Sequence, residues 1–283
     1  MLSAFTDIRA FLRDNPDAVM VEVAVADGST PREQGAWMLV SPTALFQTIG
    51  GGQLEYMAID HARGMLREQK KKDEISIPLG PEIGQCCGGR VGLGFHRLDE
   101  ALTEKLVIDM DRQFAGQPHV YLFGAGHVGS ALARALSLLP VRPVLVDTRA
   151  GELENAPGEV ETCLTAVPES IVREAPPGSA YVVLTHDHSL DFLIVMEALK
   201  RDDAAYVGMI GSKSKRATFK SWYLKQEGGS AQVFSRLVCP IGSSQLKDKR
   251  PAVIASLVAA EIIEALGQFG DRTVSATEAA TAD

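Results

Sequence analysis

The spacing of apolar and polar positions changes character part-way along the chain. In the first hundred residues, Met20–Ala26 and Trp37–Ser41 are short apolar and β-branched runs, which predicts two strands. Between them, Asp27, Gly28, Ser29, Thr30 and Pro31 supply turn chemistry. The segment ALFQTI then enters three consecutive glycines, Gly50, Gly51 and Gly52. Beyond them Leu54, Met57, Ala58, His61, Ala62, Met65 and Leu66 recur at steps of three and four, which predicts a helix ending in the solvated charges of Glu68–Glu74. Ile75–Leu79 and Arg90–Leu98 read as further strands separated by GPEIGQCCGG. Residues 1–98 are therefore expected to form a small α+β domain.

A charged segment with scattered apolar residues, Asp99–Phe114, predicts a connecting helix, and Ala115, Gly116, Gln117 and Pro118 break its pattern. Residues 99–117 are thus expected to connect two domains. From residue 118 short apolar strands alternate with helices: HVYLF, PVLVD, a stretch near Cys163, AYVVLT, AYVGMI and RLVCPI. That alternation predicts a parallel sheet covered on both faces, a Rossmann-like doubly wound α/β domain over residues 118–267. The last helix should start at Pro251 and bury Ile254, Leu257, Val258, Ile262 and Leu266. The tail from residue 268 to 283 is small, polar and aperiodic, which predicts disorder.

A length of 283 residues agrees with two domains at roughly 150 residues each. The formal charge of −8 disfavours nucleic acid and anionic lipid as partners. No apolar run reaches the ~18–20 uninterrupted residues of a membrane span, and the first residues lack an export signal. Four cysteines, two of them adjacent at Cys86 and Cys87, make no disulfide framework and fit a reducing cytoplasm.

The most defined chemical signal is Gly124-Ala125-Gly126-His127-Val128-Gly129, a G-x-G-x-x-G directly after a strand and before a helix. Gly124 permits the tight turn, Gly126 removes a side chain where a pyrophosphate approaches, and Gly129 lets helix and sheet pack closely. The helix N-terminus, with His127 in its first turn, would face that anion. Asp147, closing the next strand, is placed to accept hydrogen bonds from a ribose, and its charge predicts an unphosphorylated dinucleotide such as NAD. An NAD-dependent oxidoreductase is one reading of this half, although His127, His186 and His188 are its proton-donor candidates by loop position alone. Glycines that serve packing only are the other.

Two more loops belong to the same sheet edge. THDHSLD holds His186, Asp187, His188 and Asp191, a possible metal set that a helix cap explains more simply. GMIGSKSKR places Lys213, Lys215 and Arg216 at a helix start, where cations oppose the dipole unless an anion binds. Lys247, Lys249 and Arg250 repeat that theme before the last helix. In the first domain, Gln85, Cys86, Cys87, Gly88 and Gly89 form a glycine-flanked thiol loop. A Cys87 thiolate near Arg90 suits a soft metal or a nucleophilic role. The Gly50–Gly52 loop offers backbone N–H donors to a phosphate, with Glu55 in the first helical turn. Cys163 and Cys239 read as core thiols, and His61 as a core residue.

Taken together, GSTPREQGAWMLV (28–40), IGGGQLE (49–55), GPEIGQCCGGRVGLG (80–94), YLFGAGHVGSALA (121–133), LTHDHSLD (184–191), GMIGSKSKR (208–216), CPIG and KRPAVIASLVAAE resemble the XdhC/CoxI family, the xanthine dehydrogenase accessory proteins. The doubled cysteine and CPIG resemble the xanthine dehydrogenase branch, while the loop Ser243–Asp248 departs from it. The resemblance implies a cytoplasmic, self-associating maturation factor, a homodimer or larger. Such a factor binds molybdenum cofactor (molybdopterin), supports its sulfuration by a cysteine desulfurase and inserts it into apo-xanthine dehydrogenase. It also implies that the QCCGG loop contacts the cofactor, with Cys87 the first choice for the molybdenum and Cys86 the second. The Rossmann half is left with three readings: the pterin phosphate, a nucleotide, or no ligand.

Overall fold

The computed structural model describes residues 8–80, 88–226, 229–242, 246 and 248–281, with side chains up to residue 272. The chain divides into two compact units between Ala115 and Gly116.

The first unit carries α1 (Ile8–Asp14), β1 (Val19–Asp27), β2 (Trp37–Val40), β3 (Leu45–Gln47), α2 (Gly52–Glu68), β4 (Lys72–Pro78), β5 (Arg90–Arg97) and α3 (Glu100–Ala115). Its antiparallel sheet has the order β3-β2-β1-β5-β4. Alternation along β1 explains both of its cores. Val19, Val21 and Val23 join Met38, Val40, Leu93 and Phe95 under the apolar stripe of α2, Leu54, Ala58, Ala62 and Met65. Met20 and Leu39 point the other way, onto Ile8, Leu106 and Met110 of α1 and α3. The helix expected as a connector is therefore a packed part of the first unit. A second difference lies at β4, which begins at Lys72, within the charges expected to be solvated after the helix. β4 is an edge strand, where exposed charged side chains such as Lys72 and Glu74 discourage pairing with another chain. His61 packs its ring on Phe95, with centroids 4.6 Å apart, and bonds Asp73 at 2.9 Å.

The second unit is the Rossmann-like fold. It comprises β6 (His119–Phe123), α4 (His127–Leu136), β7 (Arg142–Asp147), α5 (Ala150–Leu153), β8 (Glu161–Leu164), α6 (Pro168–Glu174), β9 (Ala180–Val183), α7 (His188–Lys200), β10 (Tyr206–Met209), α8 (Lys213–Tyr223), α9 (Ala231–Phe234), β11 (Leu237–Val238) and α10 (Pro251–Thr281). The six strands pair in parallel in the order β11-β10-β9-β6-β7-β8. The order reverses between β6 and β9, and a crevice opens at the carboxyl ends of strands at such a reversal. All four residues of β9 are buried because helices cover both faces. Tyr181 and Val183 face one core, while Ala180 and Val182 face another that includes α4 and α10.

One expectation about the C-terminal segment is corrected. α10 continues past Gly267 to Thr281, where Ala276, Ala279 and Ala280 are strong helix formers, so residues 268–281 are helical. From Pro251 to Arg272 it is also long and apolar enough to cross a membrane, with a mean hydropathy of 1.6. Glu261 and Glu264 interrupt the apolar run, which is why counting uninterrupted residues did not flag it. In this fold Ala255, Val258, Ala259 and Ile262 are core, and Glu261 accepts hydrogen bonds from the Tyr206 hydroxyl and the Gly242 N–H, both at 2.9 Å. Replacing Glu261 by Ala leaves both donors without this acceptor and should cost about 1–3 kcal/mol in urea unfolding.

Candidate functional site

The switch-point crevice is lined by Phe123, Gly124, Val146, Asp147, Thr148, Pro168, Thr185, His186 and Leu190. Two of the three fingerprint glycines are required by the chain itself. Gly124 has φ 119°, and a Cβ there would lie 2.6 Å from the Leu184 carbonyl oxygen. A Cβ on Gly129 would collide with the Gly124 carbonyl. Gly126 is different. Its φ of −66° suits any residue, and a Cβ there meets nothing within 4 Å among the described residues beyond its chain neighbours. It precedes α4, whose first turn has no side-chain cap, with His127 exposed beside it. By contrast Asp187 caps α7 through Ser189 N and Leu190 N, and Ser212 caps α8 through Lys215 N. The α4 N-terminus therefore keeps the open, donor-rich form that suits an anion.

Asp147 is buried, and its carboxylate is engaged within the chain. Oδ2 accepts from Ala125 N at 2.8 Å and Arg149 Nη2 at 3.3 Å, while Oδ1 accepts from Arg149 N at 3.0 Å and Nε at 3.1 Å. Burial pushes the Asp147 carboxyl up, but the hydrogen bonds from Arg149 and the N–H groups of Ala125 and Arg149 outweigh it, so the net direction is down. The expected ribose acceptor is thus a strut between the ends of β6 and β7.

At the neighbouring loops, His186 and His188 are exposed, and no metal-binding cluster occurs among the described residues. Asp191 is fully buried and accepts from Thr185 N at 3.1 Å and Thr185 Oγ1 at 2.7 Å. Lys215 donates to Asp191 and, at 2.9 Å, to the Ile210 carbonyl, tying together the loops after β9 and β10. Lys213 is exposed, and Arg216 lies 4.8 Å over the Phe234 ring. Lys215 and Arg216 thus have internal partners, which accounts for two of the three cations. Arg250 pairs with Asp248 at 2.6 Å, and Lys247 lies outside the described residues. Burial raises the thiol pKa of both Cys163 and Cys239, consistent with inert sulfur.

In the first unit the glycine motifs meet at one end of the sheet. Leu79 N bonds Gly89 O at 2.8 Å and Gly88 N bonds Leu79 O at 2.9 Å, closing the connection between β4 and β5 at its base. A Cβ on Gly89 would lie 2.5 Å from the Asp27 carbonyl, so that base is pressed against the turn after β1. Gly88 is exposed with φ 71°, while Gln85, Cys86 and Cys87 lie outside the described residues. The Gly50–Gly52 loop is not a free phosphate cradle. Glu55 accepts from Ile49 N and Gly51 N, both at 3.1 Å, and from the Thr48 hydroxyl, which itself accepts from Gly50 N at 3.0 Å. A phosphate there would meet the Glu55 carboxylate. Gly50 serves a close approach, since a Cβ would lie 2.5 Å from Pro31 Cβ.

The XdhC Rossmann domain family matches residues 120–262, and the XdhC and CoxI family matches residues 11–76. The chain belongs to the XdhC and CoxI family. A Bacillus halodurans crystal structure described as a xanthine dehydrogenase superposes with a TM-score of 0.79, covering 94% of this chain and 96% of that one at 18% identity, a likeness of fold. The Escherichia coli K12 uncharacterized protein YqeB is 23% identical over 274 residues, which cover 93% of this chain. The match takes in 46% of YqeB, so the chain spans about half the length of that curated relative.

Two substitutions separate packing glycines from the open one. Gly129→Ala should lower stability by about 1–3 kcal/mol by overpacking, whereas Gly126→Ala should change it by less than about 0.5 kcal/mol in the same denaturation assay. Asp147→Asn should destabilise at neutral pH by about 1–3 kcal/mol. The folded Asp147 pKa is depressed, so its contribution is full above the ordinary carboxylate value of about 4 and is lost as pH falls through the lowered value. The gap between wild type and Asp147→Asn in a pH series of urea melts should therefore narrow below about pH 4.

Proposed function

We propose that the chain is a maturation factor for a molybdenum enzyme of the xanthine dehydrogenase type, with no turnover of its own. In this reading it binds molybdenum cofactor and holds it while a cysteine desulfurase supplies sulfur. It then passes the cofactor to the apo-dehydrogenase, working as a homo-oligomer in the cytoplasm. Family membership supports the role. The observation that carries the site is the clamped base of the thiol loop: Gly88 and Gly89 bond Leu79, and Gly89 abuts Asp27.

The donor chemistry fits the group. Molybdenum takes soft thiolate ligands, and the two adjacent cysteines stand immediately before this anchored stem. The cofactor would supply a metal–sulfur centre able to accept a further sulfur, and Cys87, with Cys86 second, would be the thiolate that holds it. Gln85 and Gly88 flank that contact. The Gly50–Gly52 loop, with Glu55 across its N–H groups, braces the Pro31 turn and takes no part in phosphate binding.

Protein purified from a host that makes molybdenum cofactor should release a fluorescent oxidised pterin after acid treatment, with molybdenum in equal amount. Cys87→Ala should lower both at least fivefold. Undiminished loading in Cys87→Ala and in the Cys86→Ala, Cys87→Ala double variant would overturn the thiolate assignment, and a pterin-free wild type would overturn the function.

A further inference from the structure

We infer that the Rossmann half takes a nucleotide whose ribose carries a phosphate, of the NADP(H) class, and that Arg149 reads that phosphate. This goes beyond the maturation role and does not depend on it. It reverses the expectation drawn from Asp147 in the sequence.

A ribose diol is recognised by a carboxylate with free acceptor positions at the end of the second strand of such a sheet. Asp147 occupies that place at the end of β7, but a carboxylate has about four acceptor directions, and Asp147 receives four donors from Ala125 and Arg149. A diol there finds no free acceptor, and the negative charge that would repel a ribose phosphate is paired with a guanidinium. Arg149 itself is turned outward. Its side chain is 41% exposed against 4% for Asp147, which lines the crevice beside it, so the cation is the more accessible of the two to an anionic ligand.

Three of the five guanidinium N–H donors serve Asp147 and Glu152. Glu152 is a half-exposed partner, 40% open to water, in a pair of the kind worth little there, so a phosphate dianion can displace it. Arg149 is meanwhile fixed at its stem by the backbone and side-chain bonds to Asp147, which pre-organises the fork for a bidentate phosphate contact. Thr148, between Asp147 and Arg149, lines the crevice. The diphosphate of the same ligand has its place over Gly126, where a Cβ would meet nothing within 4 Å among the described residues beyond its chain neighbours. Arg149 thus acts as a specificity residue, and Asp147 as the residue that positions it.

Calorimetric titration of the full-length protein with NADP⁺ and NAD⁺, and with 2′,5′-ADP and 5′-ADP as fragments, tests this. The phosphorylated member of each pair should bind at least tenfold more tightly, with the preference shrinking as salt rises. Arg149→Ala should bring the two members to within twofold, through weaker binding of the phosphorylated one, with the circular dichroism spectrum unchanged, and Arg149→Lys should keep part of the preference. Equal or tighter binding of NAD⁺, no binding of either dinucleotide at millimolar concentration, or a preference that survives Arg149→Ala would overturn the inference. Pterin content of the same preparations reports separately on the maturation role, so the two readings fail independently.

Discussion

Backbone lying directly on backbone is the constraint on which both units depend. At Gly124 and Leu184 the glycine turn touches the loop after β9, and at Gly129 the start of α4 touches the turn itself. At Gly89 the stem of the thiol loop touches Asp27 and Ser29. None of these approaches leaves room for a side chain, so each glycine position converts a sequence of turns into a fixed spatial relation. The carboxylates of Asp147 and Glu55 then lock the turns by taking their N–H groups. The result is a fixed frame in each unit: one presents the open position at Gly126, and the other anchors Gly88 and Gly89, the residues that follow the cysteine pair in the sequence.

Charge is arranged by the same logic. In a chain with a net charge of −8, several cations that look available in the sequence have internal partners. Lys215 neutralises the buried Asp191, Arg216 covers Phe234, and Arg250 holds Asp248. Arg149 is paired as well, yet its pairing leaves it exposed at the carboxyl edge of the sheet. A buried ion pair such as Asp191–Lys215 is weak evidence of stabilisation and better understood as fixing one geometry. It sets the loops after β9 and β10 relative to each other at the edge where ligands of such sheets bind.

Much of the second unit was legible because its signals are local. Strand, glycine turn, helix and acidic strand end fall within residues 119–147, and each has its own residue chemistry. The role of Asp147 was not legible, because reading it as a ribose acceptor assumes a free carboxylate, and Arg149, two residues on, removes that freedom. The Gly50–Gly52 loop reads as a phosphate cradle for a similar reason: its N–H groups look free in the sequence, whereas Glu55 reaches back over those of Ile49 and Gly51. Asp191 and Lys215 are 24 positions apart in the first turns of two different helices, so no spacing rule joins them. The start of β4 among charges and the continuation of α10 past two glycines reflect tertiary pairing and summed helix propensity, which a local pattern underweights.

The account's central claim is that the thiol loop on its clamped stem is where a molybdenum guest is held. X-ray absorption at the molybdenum edge, on protein isolated with its load, measures the sulfur neighbours of the metal directly. The account predicts one sulfur more per molybdenum in wild type than in the Cys86→Ala, Cys87→Ala double variant. An identical sulfur count in the two proteins, each still carrying molybdenum, would contradict it.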